Sequence, residues 1–237
     1  MGYTRIVEVV GKEVTGMNKI YAVDLGKTEY LEVLKIQEKL EKKVVAKGEV
    51  GYLLISETDP VITTGRSSDE DEILYTEERL RSMGIKKYPV ERGGRVTLHG
   101  PGQIVGYLII NLENYKKDLH WYLSSVEDVI GGALDELEIE SYKSKGRTGV
   151  WTGKGKVCAI GVRVRRWVTS HGFALNHTID LDLFKAINPC GLMEYGVSKI
   201  DDYRQGIERK VVIEAVYRSF QKRFECELIK TEVNNLL

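Results

Sequence analysis

The 38 residues from Ile139 to Asn176 show no helical period, and that stretch restricts the fold more than any other. Within it, Ala159 to Arg165 alternates in part, with Val162 and Val164 on one side and Arg163 and Arg165 on the other. Just before it, Leu119, Leu123, Val126, Ile130, Leu134 and Leu137 recur at helical spacing. The pair Gly131-Gly132 in that helix lowers propensity and predicts close packing against a neighbour. A long helix followed by an unbroken run of strands does not fit a regular βαβ alternation. The expectation is an α+β fold in a single domain spanning residues 1–237.

The rest of the chain reads the same way. Ile6–Val10 and Ile20–Asp24 are short β-like runs. Thr28 is placed to cap a helix carrying Leu31, Leu34, Leu40 and Val44, which Gly48 would end. Tyr52–Ser56 reads as a buried strand, Pro60–Arg66 as a second short apolar run, and Ser67–Tyr75 as an acidic surface loop. A short helix is expected from Thr76 to Met83, stopped by Gly84, and an apolar strand from Ile104 to Asn111. Asp182–Ile187 reads as a short helix and Gly206–Glu227 as the last one, with Val212, Ala215, Val216, Phe220 and Phe224 inward.

With 237 residues, 42% of them hydrophobic, one sizeable core is possible. Basic and acidic residues balance at 35 each, so overall charge selects no partner. Locally, Ser141 to Ile179 holds eight basic residues and no acidic one. A solvated basic face is the plainer reading, and a docking surface for an acidic macromolecule the sharper. Three cysteines in no disulfide or zinc spacing suit reduced thiols and a cytoplasmic location. Neither a signal-peptide core nor a membrane-spanning apolar run is present in the sequence, so a soluble protein is expected.

Three places could carry chemistry. Arg92 to Gln103 packs four glycines and a proline into twelve residues beside His99, which suits a loop whose backbone approaches a ligand. Its pattern is neither G-x-x-x-x-G-K-[ST] nor a G-x-G-x-x-G that opens a helix, which weakens an ATP- or NAD-using reading. Cys190, in Asn-Pro-Cys-Gly, sits where Pro and Gly fix a turn; a turn cysteine taken alone is more often inert than catalytic. Cys158 reads as a small core residue and Cys226 as a structural one on the last helix. Lys156 opens an apolar strand, where a lysine is usually solvated. A returning pair of strands can nonetheless bring Lys156 and Cys190 together, and a thiolate beside an ammonium is an activated nucleophile. His99 and His171 could each be a base, a donor or a structural polar group, while His120 reads as surface. No metal spacing is present, and no metal or cofactor is expected.

Taken together, Pro60-Val-x-Thr-x-Gly-Arg66, Arg92-Gly-Gly-x-x-Thr97-x-His99-Gly-Pro-Gly-Gln103, Gly149-Val-Trp151, the run Lys156 to Asn176, and Asn188-Pro-Cys-Gly-Leu192 resemble the lipoyl(octanoyl) transferase family. These motifs run from about residue 60 to 192. Leu98 departs from a usual aromatic, Leu108 from a frequent proline, and His177 from a small apolar residue. The resemblance implies a mixed β-sheet flanked by helices, like the catalytic domain of biotin and lipoate protein ligases. It implies an acyltransferase that moves octanoyl from octanoyl-acyl carrier protein to a lysine of lipoyl domains, through a Cys190 thioester with Lys156 as acid and base. The acceptors implied are lipoyl domains of 2-oxoacid dehydrogenase acyltransferase subunits and the glycine cleavage H protein, with no nucleic acid, no membrane and a monomeric enzyme. Acyl binding maps to Arg92, Gly93, Gly94, Arg95, Val96, Thr97, Leu98 and His99, to Ala159, Ile160 and Gly161, and to Gly172, Phe173 and Ala174. Val96, Ile160, Phe173 and Leu175 are the candidate apolar walls. The alternatives are an ATP-dependent lipoate or biotin ligase, a transferase working between two protein domains, and a non-catalytic acyl- or carrier-binding module.

Overall fold

A computed structural model describes residues 18–47, 50–188 and 195–237. The expected strand at Ile6–Val10, the helix stop at Gly48 and the turn holding Cys190 lie outside those residues. The elements run β1 (Asn18–Lys27), α1 (Tyr30–Lys47), β2 (Val50–Glu57), β3 (Val61–Thr64), α2 (Glu77–Ser82), β4 (Lys86–Pro89), β5 (Thr97–His99) and β6 (Gln103–Ile109). Then follow α3 (Leu119–Glu136), β7 (Tyr142–Ser144), β8 (Arg147–Thr152), β9 (Gly155–Arg165), β10 (Val168–Asn176), α4 (Arg209–Phe224) and β11 (Cys226–Lys230).

Eight strands form one mixed sheet in the order β11-β1-β2-β6-β10-β9-β8-β7, and β4-β3-β5 form a small second sheet. In the large sheet β11, β1 and β2 are parallel, and every pairing from β2 to β7 is antiparallel. Alternation along the strands divides the core. Leu53 and Ile55 face α3 and α4, whereas Tyr52 and Leu54 face α1. Helices therefore cover both sides of an α+β sheet, as expected. A third cluster, including Ile62, Leu80, Val96, Leu98, Ile179 and Ile187, packs beneath the small sheet.

Several local expectations are corrected. The buried stripe of α1 is Val33, Ile36, Leu40 and Val44, while Leu31 is 37% exposed. Thr28 does not cap α1: its hydroxyl turns back to the Leu25 carbonyl, and the Glu29 carbonyl accepts the first helical N–H groups. Thr76 does cap α2, accepting the Arg79 N–H. Gly132 faces Ser219 of α4, the close packing that the glycine pair predicts. The last helix stops at Phe224, because Glu225 turns left-handed at φ 47°. Cys226 consequently opens the edge strand β11 beside β1; it is buried, but not on a helix. The acidic segment 67–75 is not all surface: it makes a helical turn at Glu70–Glu72 and buries Glu72. Nor is the basic stretch one solvated face. Lys143 pairs with Asp128, Arg163 with Glu41 of α1, and Lys154 reaches the Asp202 carbonyl.

Leu53 is fully buried at the centre of the sheet. Leu53→Ala removes three buried carbons there and is expected to cost about 2–5 kcal/mol. A urea titration checks this, and an unchanged midpoint contradicts the core assignment.

Candidate functional site

The antiparallel register of β10 with β9 sets Gly172 opposite Gly161, Phe173 opposite Ile160 and Ala174 opposite Ala159. These six residues share the wall of one cavity of about 310 Å³, within the size range of small-molecule sites. Gly94, Arg95, Val96 and Thr97 close it from the glycine-rich loop, and Tyr30, Tyr107 and His171 also line it. Twelve of the fourteen residues mapped to acyl binding line the cavity. Leu98 does not, being fully buried beneath the small sheet, and Gly93 does not either. Leu175, a candidate wall, packs instead into the core under α3 and α4. Leu108 lies in that same core, and the His177 ring bonds the Ile207 carbonyl, so neither departure reaches the cavity.

The loop is held by what it gives up. Arg92 is buried, and its guanidinium donates to the carbonyls of Gly93, Arg95 and Thr63 and to the Thr63 hydroxyl, at 2.8–3.1 Å. Gly93 donates its N–H to the Val162 carbonyl at 2.8 Å, and Val96 donates to the Glu72 carboxylate. Arg66 and Ser67 donate backbone N–H groups to the carbonyls of Arg92 and Gly94. Glu72, which holds this loop, is a residue that the sequence reading missed. Its side chain also pairs with Arg95 and takes the Asp69 N–H, while its carbonyl takes the Asn188 N–H at 2.7 Å. One carboxylate residue thus ties the glycine loop to the chain leading out of β10. Its only sequence signal was an acidic side chain among acidic neighbours.

Lys156 sits second in β9, paired with Trp151 of β8 and bridged to Val197. Its side chain runs across Gly149, where a Cβ would lie 3.3 Å from the lysine Cε; Gly149 also has φ 128°. The Nζ lies 4.6 Å over the Trp151 ring and 3.4 Å from the Thr148 carbonyl. It lines the cavity. The chain on either side of residues 189–194 is also at the cavity: Ile187 lines it on one side, Tyr195 and Val197 on the other. The thiols of Cys158 and Cys226 are both buried, and burial pushes Cys158 above its ordinary range and Cys226 up to about 12.

Gln103 and Asn176, which the sequence marked only as motif ends, join His99 in a buried hydrogen-bonded chain. The His99 ring stacks on Tyr30 at 6.0 Å. His171 adopts a left-handed φ of 59°, and its N–H is taken by Gln37 of α1. Burial lowers both histidines to about 4; the charge of Arg92 adds to this, and for His99 the hydrogen bond to Gln103 opposes it. Both rings are therefore neutral near pH 7. The unfolded chain takes up these protons near pH 6.5, whereas the folded chain holds them off until about pH 4. Unfolding gains protons in that window, so stability falls as pH drops through it. Each histidine contributes up to about 1.4 kcal/mol per pH unit. The urea midpoint is expected to fall between pH 7 and 5, and less so in His171→Gln; equal falls contradict the assignment.

Residues 29–225 match the family model described as the lipoyl protein ligase A/B catalytic domain. An octanoyltransferase from Clostridium kluyveri is 39% identical over 222 residues, covering 93% of this chain and 95% of that protein. Among solved structures, a bi-partite lipoate protein ligase from Thermoplasma acidophilum superposes with TM-score 0.73 at 13% identity, over 90% of this chain and 87% of the other. A biotin protein ligase from Aquifex aeolicus, in complex with biotin and ATP, gives TM-score 0.52 at 15% identity, over 88% and 70%. At those identities the two structures speak for the fold alone.

Proposed function

The chain belongs to the lipoyl protein ligase A/B catalytic family, and from that premise we propose that it is an acyltransferase which moves an octanoyl group onto a lysine of lipoyl domains. Its relatives of similar length are octanoyltransferases. The observation that carries the reading is Lys156 in a cavity walled by Ala159, Ile160, Phe173 and Ala174, with both approaches to residues 189–194 at the same cavity. Cys190 follows the lining residue Ile187 by three residues.

In the proposed cycle the Lys156 ammonium stabilises a Cys190 thiolate. The thiolate attacks the thioester carbonyl of an octanoyl donor, taken to be octanoyl-acyl carrier protein. The donor's C–S bond breaks, and its thiolate leaves with the proton of Lys156. An octanoyl-S-Cys190 enzyme and a neutral lysine remain. The acceptor amine then attacks the new thioester, Lys156 takes the proton that the amine sheds, and the cysteine leaves as thiolate. The ion pair is restored, and no ATP is consumed because the thioester is already activated. Oxyanion donors among the loop N–H groups exclude Gly93 and Val96, whose hydrogens are already given to Val162 and Glu72. The acceptors would be lipoyl domains, including that of the glycine cleavage H protein, with the enzyme working in the cytoplasm. Among the described residues no helix is long and apolar enough to cross a membrane.

Incubating the enzyme with octanoyl-acyl carrier protein is expected to give one octanoyl adduct by mass spectrometry, labile to hydroxylamine and absent in Cys190→Ala. Lys156→Ala is expected to slow its formation about 10²-fold or more. An adduct that persists without Cys190, or pyrophosphate released from ATP and free octanoate, would contradict the reading.

A further inference from the structure

We propose that His99 presents an unprotonated Nε2 to the cavity and there accepts a hydrogen bond from the amine of the acceptor lysine. The assignment of the amine rests on the transfer reaction above; the state of the ring does not. Two backbone carbonyls, which can only accept, fix the direction of a buried chain of hydrogen bonds. Asn176 donates Nδ2–H to the Ser198 carbonyl at 2.9 Å. Its Oδ1 is thereby turned to Gln103, whose Nε2 donates to it at 2.8 Å and to the Leu98 carbonyl at 3.5 Å. The Gln103 Oε1 then faces His99 Nδ1 at 2.9 Å, and an amide oxygen there requires the proton to be on Nδ1. Flipping either amide sets two acceptors or two donors face to face at a site where Gln103 is 1% and Asn176 4% exposed. The tautomer of His99 is thus decided three residues away, at a carbonyl.

A neutral Nδ1–H imidazole has one thing left to offer at Nε2, a lone pair. It has no proton there to give, so it neither stabilises an oxyanion nor protonates a leaving thiolate. It can only receive an N–H or O–H. The reacting atoms of an acyl thioester carry none, whereas the attacking amine does. His99 lines the same cavity as Lys156. The far end of the chain is registered to that lysine as well, since Ser198 donates its N–H to the Lys156 carbonyl at 3.0 Å. The relay would therefore aim the acceptor amine, holding one of its hydrogens at His99 while another goes to Lys156.

Two measurements test this. Nitrogen NMR of the labelled imidazole rings in the wild-type enzyme, with His99 assigned by His99→Gln, is expected to show a neutral Nδ1–H ring at pH 7. Gln103→Leu is expected to return it to the Nε2–H form. An Nε2–H ring or an imidazolium in the wild type overturns the proposal. Separating the half-reactions then tests the amine. In His99→Ala, transfer from preformed octanoyl-enzyme to a lipoyl domain is expected to fall about 10-fold further than loading from the donor. Equal falls, or a larger fall in loading as a bond to a donor amide would give, overturn it. A wild-type enzyme that forms no octanoyl adduct overturns the transfer reading, and the assignment of the amine with it, while the NMR result still stands for the ring.

Discussion

The site is organised by a buried cation that no described carboxylate pairs with. Arg92 is compensated by three carbonyls and a hydroxyl rather than by an anion. Dipoles take the N–H groups of its Nη1 and Nη2 but leave its charge in place, and burial pulls its own pKa down. That uncancelled charge is felt by the groups around it: it helps keep His99 and His171 neutral. A cavity biased this way favours anions over cations. Thiolates and thioester oxyanions are the anions that an acyl-transfer cycle must pass through. The arginine that gathers the glycine loop also adds positive charge beside it, together with Arg95, Arg147 and Lys156 in the cavity wall.

The large sheet separates stability from chemistry. On one face, α3 and α4 bury Leu53, Ile55, Leu108 and Leu175. On the other, α1 covers Leu54 and Ile109 and contributes Tyr30 and Gln37 toward the cavity end. Gly106 shows how closely that end is fitted, since a Cβ there would lie 2.2 Å from the Phe173 ring, which forms part of the wall. The small sheet and Glu72 then close the loop over β9 and β10.

What the chain made legible was whatever repeats or clusters in sequence. The long helix from Leu119, the strand from Ile104 and the β run to Asn176 follow from period and apolarity. The glycine loop followed from composition, and its part in the cavity from ordered motifs. Illegible were groups defined by what they reach. Glu72 looks like surface until Val96 and Asn188 are brought to it, and β11 is invisible without its partner β1 to complete its ladder. The Gln103–Asn176 bond spans 73 residues, and no local pattern marks it. Leu175 was misjudged for a related reason, because strand parity decides which face a side chain takes and an alternation alone does not say which face is the cavity.

The proposed pairing of the Lys156 amine with the Cys190 thiol is tested most directly by the rate of Cys190 alkylation as a function of pH. The two other thiols are buried and raised in pKa, so they contribute little background. The wild-type rate is expected to rise through an apparent pKa well below the ordinary value of about 8.5, and to return toward it in Lys156→Met. An ordinary pKa in the wild type, or one that Lys156→Met leaves unmoved, would contradict the ion pair on which the proposed chemistry stands.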